Sequence, residues 1–283
     1  MKFFCLAAAG LLISTVIFAQ EKVFVSTQDY ITYEDSAYAN KDLSIDQRKD
    51  VMNEMIKGAD KFADNYDIAW RTVRAIYVYS DMLHYSYEVQ NYEAALKKND
   101  IKDTGDVISE SEDLNSGQES ALLDLGTTAR KYADKAVAIK PDGVEGRYYD
   151  SMAIATYAFG KSIVKALLEG LGSKYQDNLD EALKINKDYD NGISYIAYGR
   201  YWYKLPWPKR SIKKSLAQLL IGEKYNPENI ITLDFLGDTS YFDGRKEEAL
   251  SYWQRALQSN YNCYQKEYVK KLVGAKLKYL EKK

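Results

Sequence analysis

From Leu236 to Leu257 the chain reads LGDTSYFDGRKEEALSYWQRAL, and its spacing is that of two antiparallel helices. Leu236-Gly237 opens one helical run, Gly244 breaks it, and Ala249, Trp253 and Ala256 recur at helical intervals beyond the break. A bulky–small pair in the first helix and small residues in the second let two backbones approach while a ring fills the space beside them. Packed helices lie about 8–10 Å apart, and small side chains at the contact favour the lower end. Such pairs repeating at about 34 residues mark a stack of helical hairpins.

The same arrangement recurs upstream. Ser44 is suited to cap a helix in which Val51, Met55, Ala59 and Phe62 repeat every three or four residues. Trp70, Val73 and Tyr77 follow the W-x2-L-G-x2-Y spacing of the tetratricopeptide (TPR) repeat, with Val-Arg in place of Leu-Gly. Apolar positions continue through Tyr79, Leu83 and Tyr87 towards Leu96. Ala129, Ala133, Ala136 and Pro141 take the offsets of a return helix. A third unit begins near Val144, breaks around Gly170 and Gly172, and closes with LDEALKIN. A fourth presents Tyr195, Tyr198, Gly199 and Trp202, then the turn LPWPKR, then inward Ser215 and Gly222. Val269, Leu272, Ala275 and Leu280 share one face of a last helix whose other positions carry lysine, as a terminal cap facing solvent should. The expected fold is an all-α, TPR-like α-superhelix over residues 44–283 with a C-terminal capping helix, preceded by a tyrosine-bearing lead over 20–43.

One segment departs from the pattern. Residues 98–119, KNDIKDTGDVISESEDLNSGQE, are acidic, rich in Ser, Asp and Gly, and nearly free of bulky apolar side chains. They read as a mobile, solvated insertion between two helices, or as an acidic docking site.

The first residues read as a targeting segment over 1–19. Lys2 precedes an apolar run from Phe3 to Phe18, and Ile17-Phe18-Ala19 offers a cleavage site before Gln20. The run is short for a membrane span of about 20 residues, and Cys5 precedes the apolar region, unlike a lipoprotein cysteine. Export to a bacterial periplasm is expected, with an uncleaved anchor as the competing reading. Cys263 is then the one remaining cysteine, so no disulfide framework is expected. A formal net charge of -2 over 283 residues excludes the strongly basic face of a nucleic-acid binder. Tyrosine is abundant, at 26 residues, and suits both helix seams and wet binding surfaces.

From about Ala129 to Leu257 the chain resembles a bacterial TPR-like family. The strings that carry the resemblance are AVAIKPDGVEGRYY, KALLEGLG, DNLDEALKINKDYDNG, YGRYWYKLPWPKR and the final repeat. They are similar to the T-components of TRAP transporters and to the TPR-like domain of regulator of microtubule dynamics proteins. The resemblance implies a TPR-type solenoid. For T-components it also implies a periplasmic solute-binding protein as partner and a pore that could admit an apolar ligand.

Candidate binding residues cluster where aromatic and basic side chains meet. Tyr203, Lys204, Arg200 and Trp207 lie in one tract, YGRYWYKLPWPKR, able to offer ring faces and charge-assisted donors to a peptide or carboxylate. The other reading makes the rings repeat core and the prolines a stiff turn. Arg147 with Tyr148, and Arg74 with Tyr77, open repeat helices in a comparable way. These arginines either line a common concave face or pair with local acids such as Asp150. His84 is the sole histidine and has no companion at metal-ligand spacing, so it reads as packed or surface, with no metal and no triad. Gly160-Lys161-Ser162 lacks the upstream glycine and strand of a phosphate loop. No catalytic residue and no cofactor is expected. The function expected is an exported, non-enzymatic scaffold that binds a partner protein on a concave aromatic–basic face. The alternative is a T-component-like accessory holding a small apolar or carboxylate ligand within the superhelix.

Overall fold

The computed structural model describes residues 24–280. The targeting segment over 1–19 lies outside the described residues. Thirteen α-helices and one short 3-10 turn follow in order, and no strand forms among the described residues. The N-terminal half holds α1 (Thr27–Ala39), α2 (Ile45–Lys61), α3 (Tyr66–Lys98), α4 (Thr104–Glu112) and α5 (Ser116–Ile139). Then come α6 (Val144–Lys161), α7 (Ile163–Leu168), α8 (Leu171–Ile185), the 3-10 turn Tyr189–Asn191 and α9 (Ile193–Lys204). The chain closes with α10 (Ile212–Tyr225), α11 (Ile230–Phe242), α12 (Lys246–Gln258) and α13 (Lys266–Leu280). No helix of the described residues is long and apolar enough to cross a membrane.

The hairpins pair as the spacing predicts: α3 with α5, α6 with α8, α9 with α10, and α11 with α12. In the last of these Ala249, Trp253 and Ala256 are fully buried. Gly237 explains the pairing, because a Cβ there would strike the Trp253 indole. Gly160 plays the same part between α5 and α6, where its bare backbone lies against Leu123. That contact, and not phosphate chemistry, accounts for the glycine of Gly160-Lys161-Ser162. The result is an all-α, TPR-type solenoid.

The structure extends two expectations and corrects one, the mobile insertion. The lead is a helix: Ser26 and Asp29 form a capping box at the start of α1, and Tyr30 and Ala37 are buried. Arg74 of α3 holds α1 in place through Glu34 and Asp35. The insertion over 98–119 is also structured. Asp103 and Asp106 cap α4, which buries Val107 and Ile108 against α3 and α13, and Asn115 with Gln118 caps α5 at once. Two apolar residues suffice because the surrounding walls are already built. Third, α13 is more than a cap. It packs on α12 and reaches back to α3 and α4, so the two ends of the solenoid meet.

That closure is secured by polar pairs of large sequence separation. Thr104 donates to the Lys276 carbonyl at 2.9 Å, Gln265 donates to Asp81 at 2.7 Å, and Lys271 pairs with Glu93. At about 1.5 Å per residue, the 33-residue α3 spans about 50 Å and serves both halves. Its N-terminal part enters one apolar core with α2, α5 and α6, and its C-terminal part enters another with α4, α11, α12 and α13.

Candidate functional site: an aromatic cavity with a charged floor

Between the halves the ring leaves a cavity of about 420 Å³. Its walls come from α3, α6, α7, α8, α9, α11 and the segment 261–265, with Tyr38 of α1 and Lys41, and are mainly tyrosine, phenylalanine and aliphatic carbon. The exposed wall members Asp190, Asn191 and Asn262 mark the mouth. Asp190 and Asn191 both hold left-handed backbone, with φ of 43° and 57°, a conformation that Asn and Asp tolerate better than most residues.

Four of the eight sequence-predicted residues line this space: Tyr77, Tyr148, Arg200 and Lys204. Tyr148 is buried in the core as well, edge-on to Tyr149. The other four lie elsewhere. Arg74 is consumed in the α1 anchor and stacks on Tyr38 and Trp70. Arg147 donates to the Pro141 carbonyl at 2.9 Å and to Asn178 at 3.1 Å. Asp150, suggested as its partner, instead meets Lys174 and Asn178. Tyr203 is buried against Arg200, Arg210 and Phe242. Trp207 stands 89% exposed in the turn between α9 and α10.

The positive charge of Arg200 and Lys204 is spent inside the chain. Arg200 meets Glu112 at 2.7 Å and Asp238 at 3.4 Å, and Lys204 meets Glu112 at 2.6 Å. Thus the acidic segment docks onto the aromatic–basic tract of the same molecule. Burial works against an ionised Glu112, but Lys204 and Arg200 outweigh it and hold the carboxyl at about 2. Behind them Lys276, expected as a solvated lysine of the cap, is buried between Asp234 at 2.7 Å and Asp238 at 2.6 Å. Burial raises Asp234 to about 6 even with Lys276 beside it.

A second group of polar residues lies on the wall; of these the sequence reading singled out only His84, as a packed or surface residue. Asp81, His84 and Glu88 share one face of α3 and line the cavity. Asp81 accepts from Gln265, and burial still lifts it to about 6. Burial, with the charges of Lys204 and Arg200, presses His84 down to about 3, so the ring is neutral. Burial and then the Glu112 charge push Glu88 up to about 8. The signal available was the i, i+3 and i+7 spacing of three polar residues on an otherwise apolar helix. Among the described residues no group of three or more His, Cys, Asp or Glu side chains is placed to hold a metal ion. Cys263 also lines the cavity, and burial raises its thiol to about 11.

Fold and cavity together define a TPR-like helical-repeat protein closed around an internal chamber. No protein family and no curated protein matches the chain. Among solved structures it is similar to the crystal structure of yeast Tom70, at 10% sequence identity and a TM-score of 0.33, over 90% of this chain. The match covers 65% of the Tom70 chain, just under two thirds of its length.

Proposed function

We propose that the protein is an exported, non-enzymatic carrier or transport accessory that holds a small ligand with a largely apolar body inside the solenoid ring. The observation that carries this reading is the cavity of about 420 Å³ walled by aromatic rings. Small-molecule sites occupy about 300–1,000 Å³ and combine apolar walls with a few polar groups. The reading agrees with the accessory role implied by the resemblance to T-components, including a periplasmic solute-binding protein as partner. The uncharged fluorophore N-phenyl-1-naphthylamine tests it. The protein should take up one equivalent with a blue-shifted emission, and Ala155→Trp, which fills the wall of the cavity, should abolish uptake. Absence of uptake by the wild type, or equal uptake by Ala155→Trp, refutes the proposal.

A second reading, protein docking, is favoured by one observation. Trp207 projects 89% exposed beside exposed Lys209 and Arg210, on the turn between α9 and α10 and outside the cavity lining. Aromatic and arginine side chains are the usual anchors of interfaces. A pull-down from periplasmic extract should lose its partners with Trp207→Ala; identical recovery by variant and wild type removes this reading.

A further inference from the structure

Three cations and four carboxyls meet below the cavity: Arg200, Lys204 and Lys276 against Glu112, Asp234, Asp238 and Glu88. Geometry assigns every cation. Glu112 takes Arg200 and Lys204, Asp238 takes Arg200 and Lys276, and Asp234 takes Lys276. Glu88 is the acid left over. It is only 6% exposed, it lines the cavity, and no hydrogen bond reaches its carboxyl among the described residues. The His84 Nε2 lies 3.7 Å from its Oε1, outside hydrogen-bonding distance. Asp81, one face-repeat away on α3, likewise has no cation and accepts from Gln265 instead.

A buried acid without a partner either keeps its proton or waits for a positive charge from outside. Resting on the carrier reading above, we propose that the cavity selects an organic amine, whose ammonium group pairs with Glu88 while its apolar body lies against the rings. Tyr85 of α3 and Phe159 of α6 also line the cavity, and aromatic rings of this kind attract an ammonium group. An anionic ligand finds no free cation beside Glu88. Of the three cations on the cavity wall, Arg200 and Lys204 are both held by Glu112, which a ligand carboxylate would have to displace, and Lys41 donates to the Tyr38 carbonyl at 2.7 Å.

The proposal also sets a pH dependence. In the empty cavity Glu88 is mostly protonated below pH 8, so amine binding must expel that proton. The groups facing Glu88 are His84 of α3, Glu112 of α4, Arg200 and Lys204 of α9, and Lys276 of α13. His84 is already neutral, the others are paired, and Asp81 on the same face, raised to about 6, is largely ionised above pH 6.5, which leaves Glu88 as the group whose charge changes most. Amine affinity should therefore rise from pH 6.5 to 8.5, a range in which a primary alkylamine stays protonated.

The test is displacement of bound N-phenyl-1-naphthylamine by 4-phenylbutylamine, 4-phenylbutanol and 4-phenylbutanoate. For wild type at pH 8 the amine should displace the dye at a concentration about tenfold below the alcohol, the size of one charge-assisted hydrogen bond, and the carboxylate should be weakest. Glu88→Gln should bring amine and alcohol to within about twofold and abolish the pH dependence, with dye uptake retained and a melting temperature no lower than wild type as a check of folding. If the dye binds but the alcohol or the carboxylate matches the amine, or Glu88→Gln keeps the amine preference, the assignment is overturned while the carrier reading stands. If wild type takes up no dye, the carrier reading itself has failed.

Discussion

Replacing Lys276 by methionine should be among the most damaging single changes in this chain. The ammonium is enclosed with Asp234 and Asp238, the three side chains being 4%, 5% and 2% exposed. Methionine keeps the unbranched stem, one heavy atom shorter, and removes the ammonium. Asp238 retains Arg200 at 3.4 Å, but Asp234 loses its one cation. Breaking a buried pair from one side costs about 3–5 kcal/mol, against a total stability of about 5–15 kcal/mol. At about 2–4 °C per kcal/mol for a chain of this size, the melting temperature at pH 7.5 should fall by about 6–20 °C. The deficit should shrink at lower pH. Asp234 already has a folded-state value of about 6, above the ordinary 3.9, so its neutral form is the one the fold prefers. Without Lys276 that preference grows, and the cost appears as pH rises through the range where an unfolded carboxyl ionises freely. Thermal melts of Lys276→Met and of the exposed control Lys278→Met at pH 5 and pH 7.5 measure both effects. A midpoint within about 2 °C of wild type at pH 7.5, or a deficit that ignores pH, would refute the buried triad.

Other expectations follow from the same contacts. Gly237→Ala sets a Cβ against the Trp253 indole; overpacking of about 1–3 kcal/mol should outweigh alanine's helix advantage of about 1 kcal/mol, and a raised urea midpoint would contradict the packing. Arg74→Met strands the buried Glu34, so limited proteolysis should release α1 ahead of the rest; a digestion pattern equal to wild type speaks against the anchor. Glu88, raised to about 8, contributes stability that is complete below about pH 4.3 and lost as pH climbs to 8. Relative to wild type, Glu88→Gln should therefore gain melting temperature steadily from pH 5 to pH 8.5, and parallel profiles would dismiss the neutral carboxyl.

The architecture was legible because repeat packing is local. Ala249, Trp253 and Ala256 fall within one helix, and their partner Gly237 lies in the preceding one, so spacing alone identifies the contact. Short α4 was harder to see. Asp103 and Asp106 form its cap, but its apolar content is the pair Val107 and Ile108, and their burial depends on α13, more than 150 residues away in sequence. Charge was the least legible property. Arg200 and Lys204 look like a surface offered to a partner until Glu112, at a separation of 88 residues from Arg200, is found between them. Lys276 looks like its solvated neighbours, and only ring closure buries it. A cavity has no sequence pattern at all, because it is the space that correctly packed elements fail to fill. Asp81, His84 and Glu88 could be noticed as polar residues on one helix face, but what they face is set by the curvature of the whole chain.

Open stacks of hairpins can lengthen or shorten during evolution, since each unit needs only its neighbours. A stack whose last helix rests on its third and fourth has no such freedom. Adding one hairpin would carry α13 past the site where Thr104 meets its backbone, and deleting one would leave the gap unbridged. The circumference is thereby fixed, and with it the bore of the chamber. Any diversification of what fits inside must come from exchanging wall side chains, one position at a time.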